Sequence, residues 1–313
     1  QEIIKQYGAD ILRIWVVASD YSEDLKIGQD IIKHQADAYR RLRNTLRYIL
    51  GNLDGFEESE RLPVSEMPEL ERWVLHRLTE IDTLVRERAS DFDFHDMHNF
   101  CAVDLSAFYF DIRKDALYCD KPDSIRRRAA RTVLDELFSC LTAWLAPIAC
   151  FTAEEAWLAR NPGADESVHL RTYPDVPADW RDTALAEKWA TIRRIRRVVT
   201  GALELERAEK RIGSSLQATP TVYVSGEYAG VLDGVDLAEI SITSQIVVES
   251  GDAPGDAFTM DDVPGVAVVP GLAEGGKCDR CWQVLVEVDA AGDTPGICNR
   301  CADAVANFPA ATE

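Results

Sequence analysis

Apolar positions along the first half of the chain recur at three- and four-residue steps. Tyr39, Leu42, Leu46, Ile49, Leu50 and Leu53 form one such stripe, and Arg40, Arg41, Arg43 and Arg47 fall beside it. The spacing predicts an amphipathic helix whose arginines face away from the core. The same steps mark Val74, Leu78, Ile81 and Val85, then Leu105, Phe108, Tyr109 and Ile112, then Leu134, Leu137, Leu141, Trp144, Leu145 and Ile148. Punctuation agrees with the periods. Gly51 to Gly55 holds Asn and Asp between two glycines, Pro63 and Pro68 bracket a connector, Pro122 with Asp123 offers a helix start, and Thr152 with Glu155 has capping-box spacing. Residues 1 to about 160 therefore read as an α-helical bundle, with Trp15 and Trp73 in its core.

After Pro174 and Pro177 the pattern changes. A long basic helix is expected from about Asp182 to Arg211, with Gly213 as its stop. Short β-rich runs follow at Thr221–Val224, Ile246–Glu249 and Val266–Val269, with room for a short helix between Tyr228 and Ile240. These make a small α+β module, joined to the end of the chain by a glycine-rich stretch, Gly271 to Gly276, that reads as flexible. A chain of 313 residues exceeds one ordinary core. The expected organisation is mainly α: a bundle over 1–160, a linker, basic helix and α+β junction module over 161–272, and a zinc ribbon over 273–313.

The ribbon rests on four cysteines. Cys278 with Cys281 and Cys298 with Cys301 form two Cys-x-x-Cys pairs, and the sixteen residues between them lie within the spacing of a zinc site. Each two-residue gap forms a knuckle that aims two thiolates at one ion. Four thiols fill a tetrahedral shell, so a structural zinc is expected rather than a catalytic one, which keeps a position open for water. Disulfides are the alternative chemistry for the same residues. The other four cysteines, Cys101, Cys119, Cys140 and Cys150, lie in apolar helical stretches and suit reduced thiols packed as small hydrophobes. No secretory leader opens the chain and no apolar run of about 18 residues occurs, so neither export nor membrane spanning is supported. A soluble, cytoplasmic, monomeric protein is expected.

Net charge complicates the search for partners. At −20 it argues against nucleic acid, because phosphate binding rests on Lys and Arg. Charge is segregated, however. From Arg181 to Gly213 nine basic residues stand against five acidic ones, a local balance of +4. Arg40 to Arg47 and Lys121 to Arg131 are smaller basic clusters, for which a solvated helix face is the simpler reading.

Reaction chemistry is not apparent. The chain has no Walker-type phosphate loop, no G-x-G-x-x-G, no G-x-S-x-G and no H-E-x-x-H. His95 and His98, with Asp93 and Asp96 near them, could face one metal but read more simply as caps or solvated groups. Ser214 and Ser215 lack a partner that would make a nucleophile and suit a turn.

Seven segments carry a family resemblance in family order. They are YGADILRIWVVASDYSEDLKIGQDIIKHQADAYRRLRNTLRYILGNLDGF (Tyr7 to Phe56), LERWVLHRL from Leu70, LSAFYFDIRKDALYCD from Leu105, TAEEAW from Thr152, SVHL from Ser167, EKRIGSSLQA from Glu209, and KCDRCW with ICNRC at the end. Together they resemble the anticodon-binding part and terminal zinc ribbon of the bacterial isoleucyl-tRNA synthetases. The resemblance implies a cytoplasmic class I ligase that joins isoleucine to its tRNA with ATP. It also implies that the ATP- and Mg-handling signatures of the HIGH and KMSKS types, and the editing domain, lie in other domains, since neither signature occurs in these residues. The chain alone is then expected to bind tRNA and to catalyse nothing, with no catalytic residue of its own. On this reading Arg193, Arg194, Arg196, Arg197, Lys210 and Arg211 meet the RNA backbone, and Arg280 and Trp282 lie near the anticodon. A zinc-ribbon DNA-repair glycosylase and a zinc-stabilised interaction scaffold are the other readings of the cysteines. The first expects an N-terminal Pro-Glu, where this chain has Gln1-Glu2.

Overall fold

A computed structural model describes residues 2–19, 27–88, 95–163, 165–288 and 295–308. Contacts divide the chain into two units. The first comprises Gln1–Asp111 and Ile125–Asp182, the second Ile112–Ser124 and Thr183–Glu313.

The first unit is helical, as the periodicity requires. Its helices are α1 (Glu2–Tyr7), α2 (Ala9–Val17), α3 (Gln29–Asn52), α4 (Glu69–Arg88), α5 (His95–Asn99), the start of α6 (Phe110–Cys119), α7 (Ile125–Leu145) and α8 (Cys150–Arg160). The α3 stripe is the buried face: Leu42, Leu46 and Ile49 are shut away while Arg40, Arg41, Arg43 and Arg47 are exposed. Trp73 packs edge-on to Phe108 at 5.4 Å, and Tyr48 stacks on Phe110 at 4.4 Å. Trp15 lies half-buried against the small cluster of Ile11, Ile32 and Ala36.

Two local expectations fail for tertiary reasons. The segment Phe100–Tyr109 winds as a π-helix, not an α-helix. Its apolar spacing could not show this, because both windings bury Phe100, Leu105, Phe108 and Tyr109. The winding places Asp104 against Arg77 (3.0 Å) and the Tyr109 hydroxyl on the fully buried Glu71 (3.1 Å). Thr152 does not begin a helix: α8 starts two residues earlier, and no capping box forms with Glu155. The cap comes instead from α2. The carboxylate of Asp10, 5% exposed, accepts hydrogen bonds from the Thr152 amide (2.9 Å), the Thr152 hydroxyl (2.8 Å) and the Phe151 amide (3.4 Å). An anion thus sits where the first-turn amides and the helix dipole are positive.

The basic cluster that follows Lys121 is largely neither solvated nor available. Arg61, Arg131 and Arg160 surround the Phe56 ring at 5.5–5.8 Å. Arg61 and Arg160 share Asp135, Arg131 pairs with Glu60 (3.3 Å), and Arg128 donates to the Glu60 carbonyl (3.1 Å). These arginines are fastenings.

The second unit is built on α9 (Thr183–Ala208) and a four-stranded sheet of β1 (Thr221–Val224), β2 (Val247–Ser250), β3 (Phe258–Thr259) and β4 (Val266–Val269), in the order β2-β1-β4-β3. β1 runs parallel to β2 and antiparallel to β4. Alternation turns Val222 and Val224 inward, where Ile195, Val198, Val199 and Ala202 of α9 cover them. Gly201 of α9 lets the Phe258 ring approach, since a Cβ there would fall 3.1 Å from it. Between β1 and β2 lie two short helices, α10 (Gly226–Ala229) and α11 (Leu237–Ser241), where one was expected.

α9 stops before Gly213. The left-handed residue is Lys210 (φ 59), with the Arg211 amide on the Glu206 carbonyl (2.9 Å) and the Lys210 amide on the Arg207 carbonyl (3.0 Å), the bonding pattern of a Schellman end. The stretch after Gly271 is pinned, contrary to its reading as a flexible link. The Thr219 amide donates to the Gly271 carbonyl and the Ala273 amide to the Gln217 carbonyl, and at Gly275 (φ 109) a Cβ would strike the Leu285 carbonyl at 2.3 Å. Ser214 caps a short turn with Gln217, as its sequence context suggested.

Asp10→Ala is expected to lower stability by about 1–2 kcal/mol, because it strips the α8 amides of a buried acceptor. Urea unfolding followed by helical circular dichroism measures this, and an unchanged midpoint would remove the cap from the account.

Candidate metal centre and nucleic-acid interface

Beyond the sheet the second unit ends in a two-stranded ribbon, β5 (Gly276–Lys277) and β6 (Val284–Leu285), followed by α12 (Asn299–Ala306). Cys278 and Cys281 belong to the turn between the strands. Cys298 and Cys301 belong to the first turn of α12, with Cys298 at the cap position. All four are buried. Their sulfurs lie within 4.8 Å of one another, the one such metal-competent group among the described residues. A tetrahedron with about 2.3 Å zinc–sulfur bonds has edges of about 3.8 Å, and Cys281 Sγ stands 3.8 Å from Cys298 Sγ. The donor set fits one zinc ion, with no position left for water. Backbone geometry supports the knuckle: the Trp282 amide donates to the Cys278 carbonyl (2.9 Å) and the Cys298 amide to the Cys278 sulfur (3.3 Å).

The histidine alternative does not assemble among the described residues. Asp96 pairs with Arg88 at 3.2 Å, while Asp93 and the His95 side chain lie outside the described part.

The residues expected at RNA are distributed unevenly. On α9, Arg194 and Arg197 are exposed, whereas Arg193 and Arg196 are half-buried. Arg196 Nε donates to the Ile240 carbonyl (2.7 Å), Arg197 pairs with Asp262, and Arg194 reaches only its neighbour Thr191 (3.1 Å). Lys210 is exposed and makes no ion pair among the described residues; Arg211 is exposed but held by Glu206 at 2.5 Å and by Glu209. Such exposed pairs are weak, so a phosphate can displace them.

The ribbon separates its two candidates. Trp282 is 60% exposed, so it does not cover the ribbon, and its backbone is left-handed (φ 66), a conformation costing roughly 1–2 kcal/mol outside glycine. Lys277 Nζ stands 5.5 Å from its ring centroid. Lys277 escaped the sequence reading, although its place beside Cys278 on the hairpin was a usable signal. Arg280 points the other way: its guanidinium donates to the carbonyls of Tyr118 (3.0 Å) and Cys119.

Comparison with known proteins gives two family matches. Residues 71–222 match the family described as the anticodon-binding domain of tRNA ligase, and residues 275–304 match the zinc finger found in FPG and IleRS. Isoleucine–tRNA ligase of Brucella abortus biovar 1 (strain 9-941) is 53% identical over 315 residues, covering 99% of this chain and 32% of that protein. The isoleucine–tRNA ligase of Mesorhizobium japonicum is 52% identical over 92% of this chain and 30% of its own length. Along nearly its whole length this chain is similar to a part of the isoleucine–tRNA ligases. It spans about a third of the length of the curated relatives it matches. The zinc finger alone is common to two kinds of protein; the anticodon-binding match and the similarity along nearly all of this chain favour the isoleucine–tRNA ligase reading over the repair glycosylase. A solved ternary complex of Agrobacterium radiobacter K84 LeuRS, tRNA and LeuAMS aligns at 11% identity with a TM-score of 0.43, over 72% of this chain and 23% of that one, and carries no part of the assignment. No described helix is long and apolar enough to cross a membrane.

The four thiols are unequal before a metal arrives. Burial pushes Cys301 up to about 12 and raises Cys281 as well. At Cys278 burial also acts upward, but hydrogen bonds from the backbone at Cys281, Cys298 and Arg280 prevail and bring it down to about 6. Near neutral pH, zinc must therefore displace protons from at least Cys281 and Cys301. Apparent zinc affinity is expected to fall by at least about a hundredfold for each pH unit lowered from 8 to 6.5, at least two protons competing with one ion. Competition against a chromophoric chelator reads this slope; a pH-independent affinity would contradict it.

Proposed function

We propose that this chain is the tRNA-recognising part of an isoleucine–tRNA ligase, working in the cytoplasm as a monomer, and that isoleucine activation with ATP and Mg belongs to other domains of the whole enzyme. Its part is to hold the tRNA for isoleucine while those domains act. The observation that carries this reading is Trp282: an exposed indole in a strained left-handed conformation, beside a lysine, on a ribbon that the four thiols Cys278, Cys281, Cys298 and Cys301 fix around zinc. An unstacked anticodon base gains by lying on such a ring, and every base offers a π-face to it.

Phosphates are handled apart from bases. Arg194 and Lys210 make no ion pair among the described residues, and Arg196, Arg197 and Arg211 follow once their carboxylate or carbonyl partners are exchanged for phosphate oxygens, with Arg193 beside them on α9. Their local excess of positive charge supports binding despite the net charge of −20, because the field at one face acts within a Debye length of about 8–10 Å.

Filter binding of the isoleucine tRNA and of a tRNA with another anticodon, each at several salt concentrations, tests the reading. The expected result is preference for the isoleucine tRNA and affinity falling steeply with salt. Trp282→Ala should cost about 1–3 kcal/mol and narrow the preference. Arg194→Ala and Lys210→Ala should weaken both tRNAs alike and lower the salt slope by about one each. Equal binding of the two tRNAs by the unaltered chain would exclude anticodon recognition, and no binding at all would favour an interaction scaffold.

Lys210→Gly offers a separate check on the α9 end. It should raise the melting temperature, because glycine enters the left-handed region freely, while weakening tRNA. A loss of stability would contradict the assignment of Lys210 to that conformation.

A further inference from the structure

The two zinc knuckles share a feature that metal binding does not require. In Cys278-Asp279-Arg280-Cys281 and in Cys298-Asn299-Arg300-Cys301 the residue before the second cysteine is arginine. Both side chains reach the same place, the C-terminal end of α6, whose residues from Ile112 onward belong to the second unit with the ribbon. Arg300 grips the Asp115 carboxylate with both terminal nitrogens (2.5 and 2.7 Å) and adds the buried Asp120 at 2.9 Å. Arg280 donates to the carbonyls of Tyr118 and Cys119, which the helix end leaves without intrahelical partners. A cation there also answers the negative end of the helix dipole.

One arginine also crosses between knuckles: Arg280, from the first, lies 3.8 Å from the Cys301 sulfur of the second. Cys119 completes the arrangement by packing among the four metal-site cysteines. A hydrogen bond to a thiolate steadies its charge, and a bidentate arginine–carboxylate pair fixes direction as well as distance.

We propose that Arg300 is a positioning residue: through Asp115 and Asp120 it seats the zinc ribbon on the end of α6, so that zinc retention and the placing of Trp282 depend on a contact that touches neither metal nor RNA. The RNA part of this inference rests on the function proposed above; the zinc part does not. Linkage makes the dependence mutual. If zinc closure brings both arginines onto the helix, then the helix contact must hold zinc more tightly in return.

The test is made on the full 313-residue chain with zinc loaded, using chelator-driven release and tRNA filter binding side by side. Arg300→Ala should weaken zinc about ten- to a hundredfold, the range found for groups that orient metal ligands. Arg300→Lys should recover little, since one ammonium cannot give two parallel bonds. Asp115→Asn, made from the helix side, should act in the same direction, and the double variant should be little worse than the first alone, because both remove one contact. Affinity for the isoleucine tRNA should drop about tenfold in Arg300→Ala with an unchanged salt slope. A slope lower by about one would mean direct phosphate contact and would overturn the positioning role. So would zinc release at the unaltered rate in both Arg300→Ala and Asp115→Asn, or additive effects in the double variant. Should Arg300→Ala fail to fold, Asp115→Asn alone decides. Should the unaltered chain not prefer its tRNA, the proposed function falls while the zinc arm still judges the seat.

Discussion

Convergence of four thiols on one point is the constraint on which the end of this chain depends. Among the described residues the ribbon buries little beyond its cysteines and Ala304, with Leu285, Val288 and Ile297 packed partly against the cysteines. So few apolar groups cannot offset the entropy of ordering some thirty residues. Zinc supplies that closure when bound, and removing it would leave four polarizable groups packed together with burial opposing ionisation of Cys281 and Cys301. The strained backbone at Trp282 is tolerable for the same reason: a knuckle locked by two metal bonds and a Trp282 amide to Cys278 carbonyl bond over-determines its neighbours.

Charge in this molecule is organised by pairing. An acidic chain with 34 basic residues could display them or consume them, and many are consumed. Arg61, Arg131 and Arg160 fasten Phe56 and the acidic groups around it, Arg77 bonds Asp104, and Arg300 bonds Asp115. Arg41 and Arg47 of α3, with Lys210, are exposed and make no ion pair among the described residues. Basic residues close in sequence thus have different fates, decided by which carboxylates the fold brings near. The cap of α8 follows the same rule, since Asp10 is recruited from another helix where a local Thr152–Glu155 pair was expected.

Much of the architecture was legible beforehand. Helical periods located the bundle and its buried stripes, and β-rich runs located β1 and β4 to the residue. The four cysteines announced their cluster because knuckle spacing is a local property of the chain. Less legible were the π winding at Phe100–Tyr109, the end of α9 at Lys210 and the pinned stretch after Gly271. The first preserves the same buried set as an α-helix, the second uses a lysine where glycine is usual, and the third depends on strands far away in sequence. The short strand β3 was missed because two residues carry no period.

By itself, then, the sequence determined which segments are helical, which faces are apolar, and that Cys278, Cys281, Cys298 and Cys301 form a single donor set, because each follows from spacings of a few residues. Only the tertiary structure decided what the arginines do. Arg280 and Arg300 occupy equivalent places in two knuckles, and nothing local says whether such a side chain meets RNA, solvent or its own chain. That depends on Asp115, Tyr118 and Cys119 arriving from about 160–185 positions away. Long-range pairing of charge is set by packing, and packing is a property of the folded whole.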